Sequence, residues 1–217
     1  MEIAIIGLPQ SGKTTVFSAL TGIKVDQAAR GDHSIGIVKV PDQRLPPLAD
    51  LFKPHRVVPA EIAYIDYGAF VKGFGKAEAG LTPQFLSQLA RADAIIHVVR
   101  VFQDDRVPHI EGSVDPKRDI ASMDLELAFA DMAFIERRLE RMETSLKAAK
   151  PQEREAAHAE QQLLARMKDR LEDNVPVSEQ ELTLQERKLI ENYQFITAHP
   201  MLNLLNYGEG QEAEAQA

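Results

Sequence analysis

The feature that most narrows what this chain can fold into is the octapeptide GLPQSGKT, Gly7–Thr14. It fits the pattern G-x-x-x-x-G-K-[ST] at every required position. Such a loop works only between a strand and a helix, and both are legible here. EIAII before it is short, apolar and β-branched, and a helix-like segment runs from Lys13 to about Leu20. Two glycines let the backbone approach phosphates closely. Successive N–H groups then form an anion nest at a helix N-terminus, where the peptide dipoles also favour negative charge. The expected cradle comprises Gly7, Pro9, Gln10, Ser11, Gly12, Lys13, Thr14 and Thr15. Lys13 is expected to reach the β- and γ-phosphates as a catalytic charge, and Thr14 to offer its hydroxyl to Mg²⁺. A second acidic contact for Mg²⁺ usually ends a neighbouring strand. Asp66, ending AEIAYID, is placed for it.

The first hundred residues alternate strand-like and helix-like segments. IGIVKV (Ile35–Val40), AEIAYID (Ala60–Asp66) and AIIHVVRVF (Ala94–Phe102) read as strands, apolar on both faces. TPQFLSQLARA (Thr82–Ala92) reads as a helix with Phe85, Leu86 and Leu89 on one face. This order predicts a mainly parallel sheet flanked by helices.

From about Ile120 the texture changes. Leu125, Ala128, Met132, Ile135, Leu139, Met142 and Leu146 recur at alternating steps of three and four, a heptad seam. A break at Pro151 precedes a second helical stretch to about Glu172, with Ala157, Leu164, Met167 and Leu171 on one stripe. Two long helices joined by a short turn should pair antiparallel. Their high charge and narrow seam predict a projecting coiled-coil hairpin. Ser178 with Glu181 and Thr183 with Glu186 have capping-box spacing. FITAHPMLNLLN (Phe195–Asn206) then reads as a return to the sheet, and EGQEAEAQA as a disordered tail. The expected domains are 1–120 for the phosphate-binding core, 121–194 for the helical insertion, 195–209 for the return and 210–217 for the tail.

The absence of cysteine excludes disulfides, thiolate metal sites and thiol nucleophiles, and fits a cytosolic protein. No stretch is long and apolar enough to cross a bilayer. The net charge of −8 argues against bulk attraction to nucleic acid or anionic membrane. No membrane partner and no sequence-specific DNA binding are expected, and the chain is expected to be a monomer. Any RNA contact would be local, with Arg137, Arg141, Lys147, Lys150 and Arg154 on the hairpin as the candidate patch.

Several ordered stretches resemble the YchF-type Obg-like ATPases of the translation-factor GTPase class. They are GLPQSGKTTVFSALTG, VPDQRLPPLADLFKP, ADAIIHVVRVFQDD with the VDP that follows, and ELAFADMAFIERRLER. The resemblance runs from about Met1 to Glu209. It implies a Ras-like α/β P-loop NTPase fold, a mainly parallel sheet interrupted by an inserted antiparallel α-helical coiled-coil domain. It implies ribosomes or translation components as partners. It also implies that NYGE, Asn206–Glu209, stands where GTPases carry N-K-x-D, so Asn206 and Glu209 would contact the base. The lysine is absent, and the family is known for preferring ATP; ATP is therefore expected before GTP.

The sequence departs from the family in three places. QAARGDHSIG, where the family's switch I carries a threonine, has none, and Ser34 is the substitute at hand. Ala69 stands where the family has glycine, and Gly68 comes early. Family members continue past the base motif with a further strand and helix, a second base-contacting loop and a C-terminal TGS domain; this sequence carries none of these.

Phosphoryl transfer needs positioning, a metal, an oriented water and charge stabilisation. Many GTPases orient water with a glutamine; here the position is Phe70, and turnover is expected to be slow. His109, in DDRVPHIEG, matches a histidine of the family pattern and is the candidate to place a water or donate a proton. His97 reads as a core residue, and Arg100 and Arg106 as surface ion-pair partners rather than charge stabilisers. Two readings follow: a slow Mg²⁺-dependent ATPase whose nucleotide state a partner reads, or an interaction module with little turnover that contacts partners through the coiled coil.

Overall fold

The computed structural model describes residues 1–24, 33–67, 71–72, 80–146 and 151–211. The chain divides into two compact units. The first holds residues 1–70, 92–114 and 201–217, and the second 71–91 and 115–200. The predicted positions Gly68, Ala69, Phe70, Lys147 and Lys150, most of QAARGDHSIG and the end of the tail lie outside the described residues.

The first unit is a five-stranded sheet in the order β2-β3-β1-β6-β7. Its strands are β1 (Glu2–Ile6), β2 (His33–Lys39), β3 (Glu61–Tyr67), β6 (Ala94–Arg100) and β7 (Met201–Asn206). β1 runs parallel to β3 and β6, and β6 parallel to β7. β2 is antiparallel to β3. From Ile3 to Ile6 the central strand is apolar because both its faces are covered. Ala4 and Ile5 have no exposed surface, and α1 (Lys13–Thr21) lays Phe17 against Ile3, Ile5, Ile96 and Val98. Burial of one such side chain contributes roughly 1.5–3 kcal/mol.

The edge strand β2 corrects the expectation of two-sided burial: Ile35 and Ile37 are 54% and 65% exposed. An edge strand, paired on one side only, leaves alternate side chains in solvent. α2 (Leu45–Phe52), in VPDQRLPPLADLFKP, is a helix that periodicity alone does not reveal over so short a span; it exposes Leu48, Leu51 and Phe52. His97 is fully buried, with its Nδ1 3.0 Å from Asn203 Oδ1, as expected of a core histidine.

The second unit contains the short β4–β5 hairpin (Val71–Lys72, Gly80–Leu81), α3 (Pro83–Leu89), α4 (Pro116–Leu146), α5 (Pro151–Glu172) and α6 (Leu184–Leu189). The Thr82 hydroxyl caps α3 by accepting the Phe85 N–H. α4 and α5 pair antiparallel, with Glu136 on Lys168 and Arg138 on Glu160. Ala128, Ile135 and Met142 pack with Leu164, Met167 and Leu171 as the seam predicts. Leu125 does not belong to that core; it is 42% exposed.

The core is also broader than a two-helix seam, because Val177, Ile190 and Phe195 close it. Asp131 ties that closure. Its carboxylate accepts the Ile196 and Thr197 N–H groups and the Thr197 hydroxyl at 2.7–2.9 Å. Phe195–Pro200 therefore pack with the helices, and the strand starts only at Met201. Thr183 and Glu186 form a complete capping box. Ser178 does not: Val177–Glu179 is a single 3₁₀ turn whose first N–H, on Val177, donates to the Thr197 hydroxyl. Among the described residues no helix is long and apolar enough to cross a membrane.

Candidate functional site

Parallel pairing brings the C-terminal ends of β1, β3 and β6 to one edge of the sheet. In register, Ile5 faces Asp66 on one side and Ile96 on the other. The chain leaves β1 at Gly7 with φ +149° and enters α1 at Gly12 with φ +97°. A methyl group at Gly7 would stand 2.4 Å from the Val98 carbonyl oxygen of β6. Glycine here is thus demanded twice, by conformation and by the neighbouring strand. Gln10, at φ +62°, is the turn's non-glycine left-handed residue.

Within the loop the Lys13 ammonium donates to the Gly7 and Leu8 carbonyls, each at 3.0 Å. Burial lowers the Lys13 pKa, and the Asp66 charge partly opposes that. The Thr14 hydroxyl donates to Asp66 Oδ2 at 2.8 Å. The other carboxylate oxygen, Oδ1, is buried and has no hydrogen-bond partner among the described residues. A buried carboxylate oxygen facing no donor is costly. It fits a cation site, and a hydroxyl beside a carboxylate is a donor set Mg²⁺ accepts when phosphates and water complete its shell. Ser34 lies directly across the antiparallel ladder from Asp66, so the two side chains share one face of the sheet. Pro9 is half-buried, Ser11 buried and Thr15 exposed.

Asn206, at the end of β7, reaches the same loop. Its Nδ2 donates to the Ser11 carbonyl at 2.9 Å, and it lies where a methyl on Gly12 would fall, 2.2 Å away. Glu209 is exposed in the turn beyond. The structure thus joins Gly7–Thr14, Asp66 and Asn206 in one constellation.

His109 lies in the loop after β6. Its Nδ1 accepts the Glu111 N–H at 3.1 Å, which fixes the proton of the neutral ring on Nε2. Arg106 pairs with Asp104 as expected. Arg100 does not behave as a surface ion-pair partner. It is 3% exposed, stacks on the Phe102 ring at 4.4 Å, and donates Nε and Nη2 to the Phe102 and Asp104 carbonyls. Both the Val101 and Phe102 N–H groups in turn hold the Asn206 carbonyl. Arg100 therefore staples the turn that grips the backbone of Asn206. Its position at the end of an apolar strand was the only sequence signal of this.

The family model described as 50S ribosome-binding GTPase matches residues 2–135. The chain is 38% identical to the ribosome-binding ATPase YchF of Bacillus subtilis, aligning 99% of itself with 58% of that protein. It is 35% identical to the protein of the same name from Haemophilus influenzae, over 96% of this chain and 57% of that one. Obg-like ATPase 1 of Oryza sativa is 32% identical over 96% of this chain and 53% of its own length. The structure of the Schizosaccharomyces pombe YchF GTPase aligns with a TM-score of 0.77 at 28% identity, covering 99% of this chain and 58% of that one. The chain thus spans somewhat more than half the length of the relatives it matches. With a P-loop NTPase fold and these relatives, the chain belongs to the 50S ribosome-binding GTPase family, on its YchF-type side.

Proposed function

We propose that this chain binds ATP with Mg²⁺ at Gly7–Thr14 and hydrolyses it slowly, GTP being the second substrate, and that a ribosome-associated partner reads its nucleotide state. The observation that carries this reading is the Thr14–Asp66 pair beside the phosphate loop, with Asp66 Oδ1 buried and unpartnered among the described residues. Thr14 and Asp66 would hold the metal, with Ser34 beside them. The bound Mg²⁺ would neutralise charge on the β- and γ-phosphates.

The chain's own residues do the rest. Backbone N–H groups from Gln10 to Thr14 receive phosphate oxygens at the start of α1. Lys13 leaves the Gly7 and Leu8 carbonyls and turns its ammonium to the phosphates. Asn206 keeps the loop open to them by bracing the Ser11 carbonyl. Tyr207 and Glu209 replace the lysine and aspartate of the guanine-reading motif, which supports ATP over GTP. His109 presents Nε2–H as the group to position a water. The ribosome enters through the relatives, two of which are named ribosome-binding ATPases.

Calorimetry with ATP, GTP and ADP, with and without Mg²⁺, tests the binding reading. Single-turnover hydrolysis against Lys13→Ala tests the enzyme. Equal rates for the two proteins would leave an interaction module without turnover. Equal affinity for ATP and ADP would remove γ-phosphate sensing, because a ligand shifts conformation only through differential affinity.

A further inference from the structure

The helical unit carries a cleft of about 320 Å³ lined by Phe134, Arg137, Arg138, Arg141 and Tyr193. At 3.6 residues per turn, Arg137, Arg141, Phe134 and Arg138 fall within an arc of about 100° on α4. Glu136, Glu140 and Glu143 fall outside it. A helix rich in both signs has thus gathered three of its four arginines beside an aromatic side chain. Arg137 and Arg141 are exposed, and the Arg137 Nε donates to the Ala133 carbonyl.

The wall of the cleft is fixed. Phe134, Tyr193 and Phe195 meet edge to face, with ring centroids 5.5–5.9 Å apart. Arg138 pairs with Glu160 at 2.8 Å and lies 5.6 Å from the Tyr193 ring centroid. The Tyr193 hydroxyl is also bonded to Glu160. The Tyr193 phenol is neutral at physiological pH, and burial with the Glu160 carboxylate pushes it further up to about 12. Guanidinium groups in a rigid fork match phosphate oxygens, and aromatic walls match a planar ring. The volume lies at the lower end of small-molecule pockets.

We propose that this cleft is a second nucleotide-binding site, which takes a nucleobase against Phe134 and Tyr193 and its phosphate on Arg137 and Arg141. That chemistry has two sources, a free mononucleotide and one residue of a single-stranded RNA. The site belongs to the helical unit and needs no hydrolysis at the P-loop. AMP is a suitable probe because it has no β- or γ-phosphate for Lys13.

The experiment titrates the full chain with AMP and with a fluorescent decamer of single-stranded RNA, each with the P-loop saturated by a non-hydrolysable ATP analogue and without it. The double variant Arg137→Glu/Arg141→Glu should weaken the binding probe at least about tenfold, since two charge-assisted contacts are lost. For RNA, the salt slope should also fall by about 1.4. Arg187→Glu/Lys188→Glu makes the same charge change at exposed positions on α6 and should leave binding unaltered. Ultraviolet cross-linking with thio-substituted probe should mark Phe134 or Tyr193. AMP binding assigns the free nucleotide as the source, and RNA binding without AMP competition assigns the strand. Binding of neither probe, equal binding by the Arg137/Arg141 variant, or inorganic phosphate competing as well as AMP would each overturn the proposal. Failure of ATP to bind the P-loop would leave these titrations readable.

Discussion

A methyl group on residue 12 has nowhere to go. Gly12 sits at φ +97°, and an added Cβ would lie 2.2 Å from Asn206 Nδ2 and 3.4 Å from its Cγ. Gly12→Ala therefore meets two separable costs. Holding an L-residue in the left-handed region costs about 1–2 kcal/mol. Driving Asn206 away removes its 2.9 Å bond to the Ser11 carbonyl, about 1 kcal/mol more. The expected loss of stability is about 2–3 kcal/mol. Asn206→Ala alone should lose about 1 kcal/mol, the bond without the strain. The double variant should then resemble Gly12→Ala, because the clash disappears with the amide. The predicted coupling is about 1 kcal/mol, well above the ~0.3–0.5 kcal/mol expected of independent sites. Urea unfolding of the four proteins measures it, and fluorescent-nucleotide affinity follows the same cycle at the phosphate loop. Strict additivity would refute the reasoning, since it would mean that Asn206 does not rest against Gly12.

Asp66→Asn should abolish the Mg²⁺ dependence of ATP affinity while leaving metal-free binding within about threefold, as calorimetry with and without chelator will read. Arg100→Ala should destabilise the chain by about 3 kcal/mol, for two charge-assisted bonds at ~1.5 kcal/mol each, and Arg100→Lys should recover little, because an ammonium cannot stack on Phe102 and fork to two carbonyls; urea midpoints measure both. Burial holds the Asp131 carboxyl above its usual range, against the lowering effect of the three hydrogen bonds it accepts. A raised carboxyl contributes stability below its unfolded value that is lost as pH rises through the folded one. The wild type should therefore lose stability relative to Asp131→Asn from about pH 4 upward, and a difference that stays flat or grows with pH in denaturation series would contradict this.

Gly7, Gly12, Lys13 and Thr14 were legible as a P-loop between strand and helix from spacing alone, because the turn is a local backbone device that eight consecutive residues specify. Asp66 was legible because it ends an apolar run, and parallel pairing then carries every such ending to the same edge as Gly7. The α4–α5 pairing was equally local, read from a 3-4 repeat, but its width was not. Leu125 keeps the repeat yet stays in solvent, whereas Phe195, outside it, is 2% exposed in the core. Periodicity says which residues share a helix face; it does not say how far that face is covered.

What only the tertiary structure decided are the contacts between residues distant in sequence. Asn206 braces Ser11 across 195 positions, and Asp131 caps Ile196 across 65. The sequence alone determined the phosphate loop, its lysine and hydroxyl, and the alternation of strand and helix. Those follow from backbone stereochemistry and side-chain period within one element. The register of β7 beside β6 decided that Asn206 reaches the loop, and the stacking of Arg100 on Phe102 decided how it is held there. Both depend on which surfaces meet, and that is fixed only when the sheet closes.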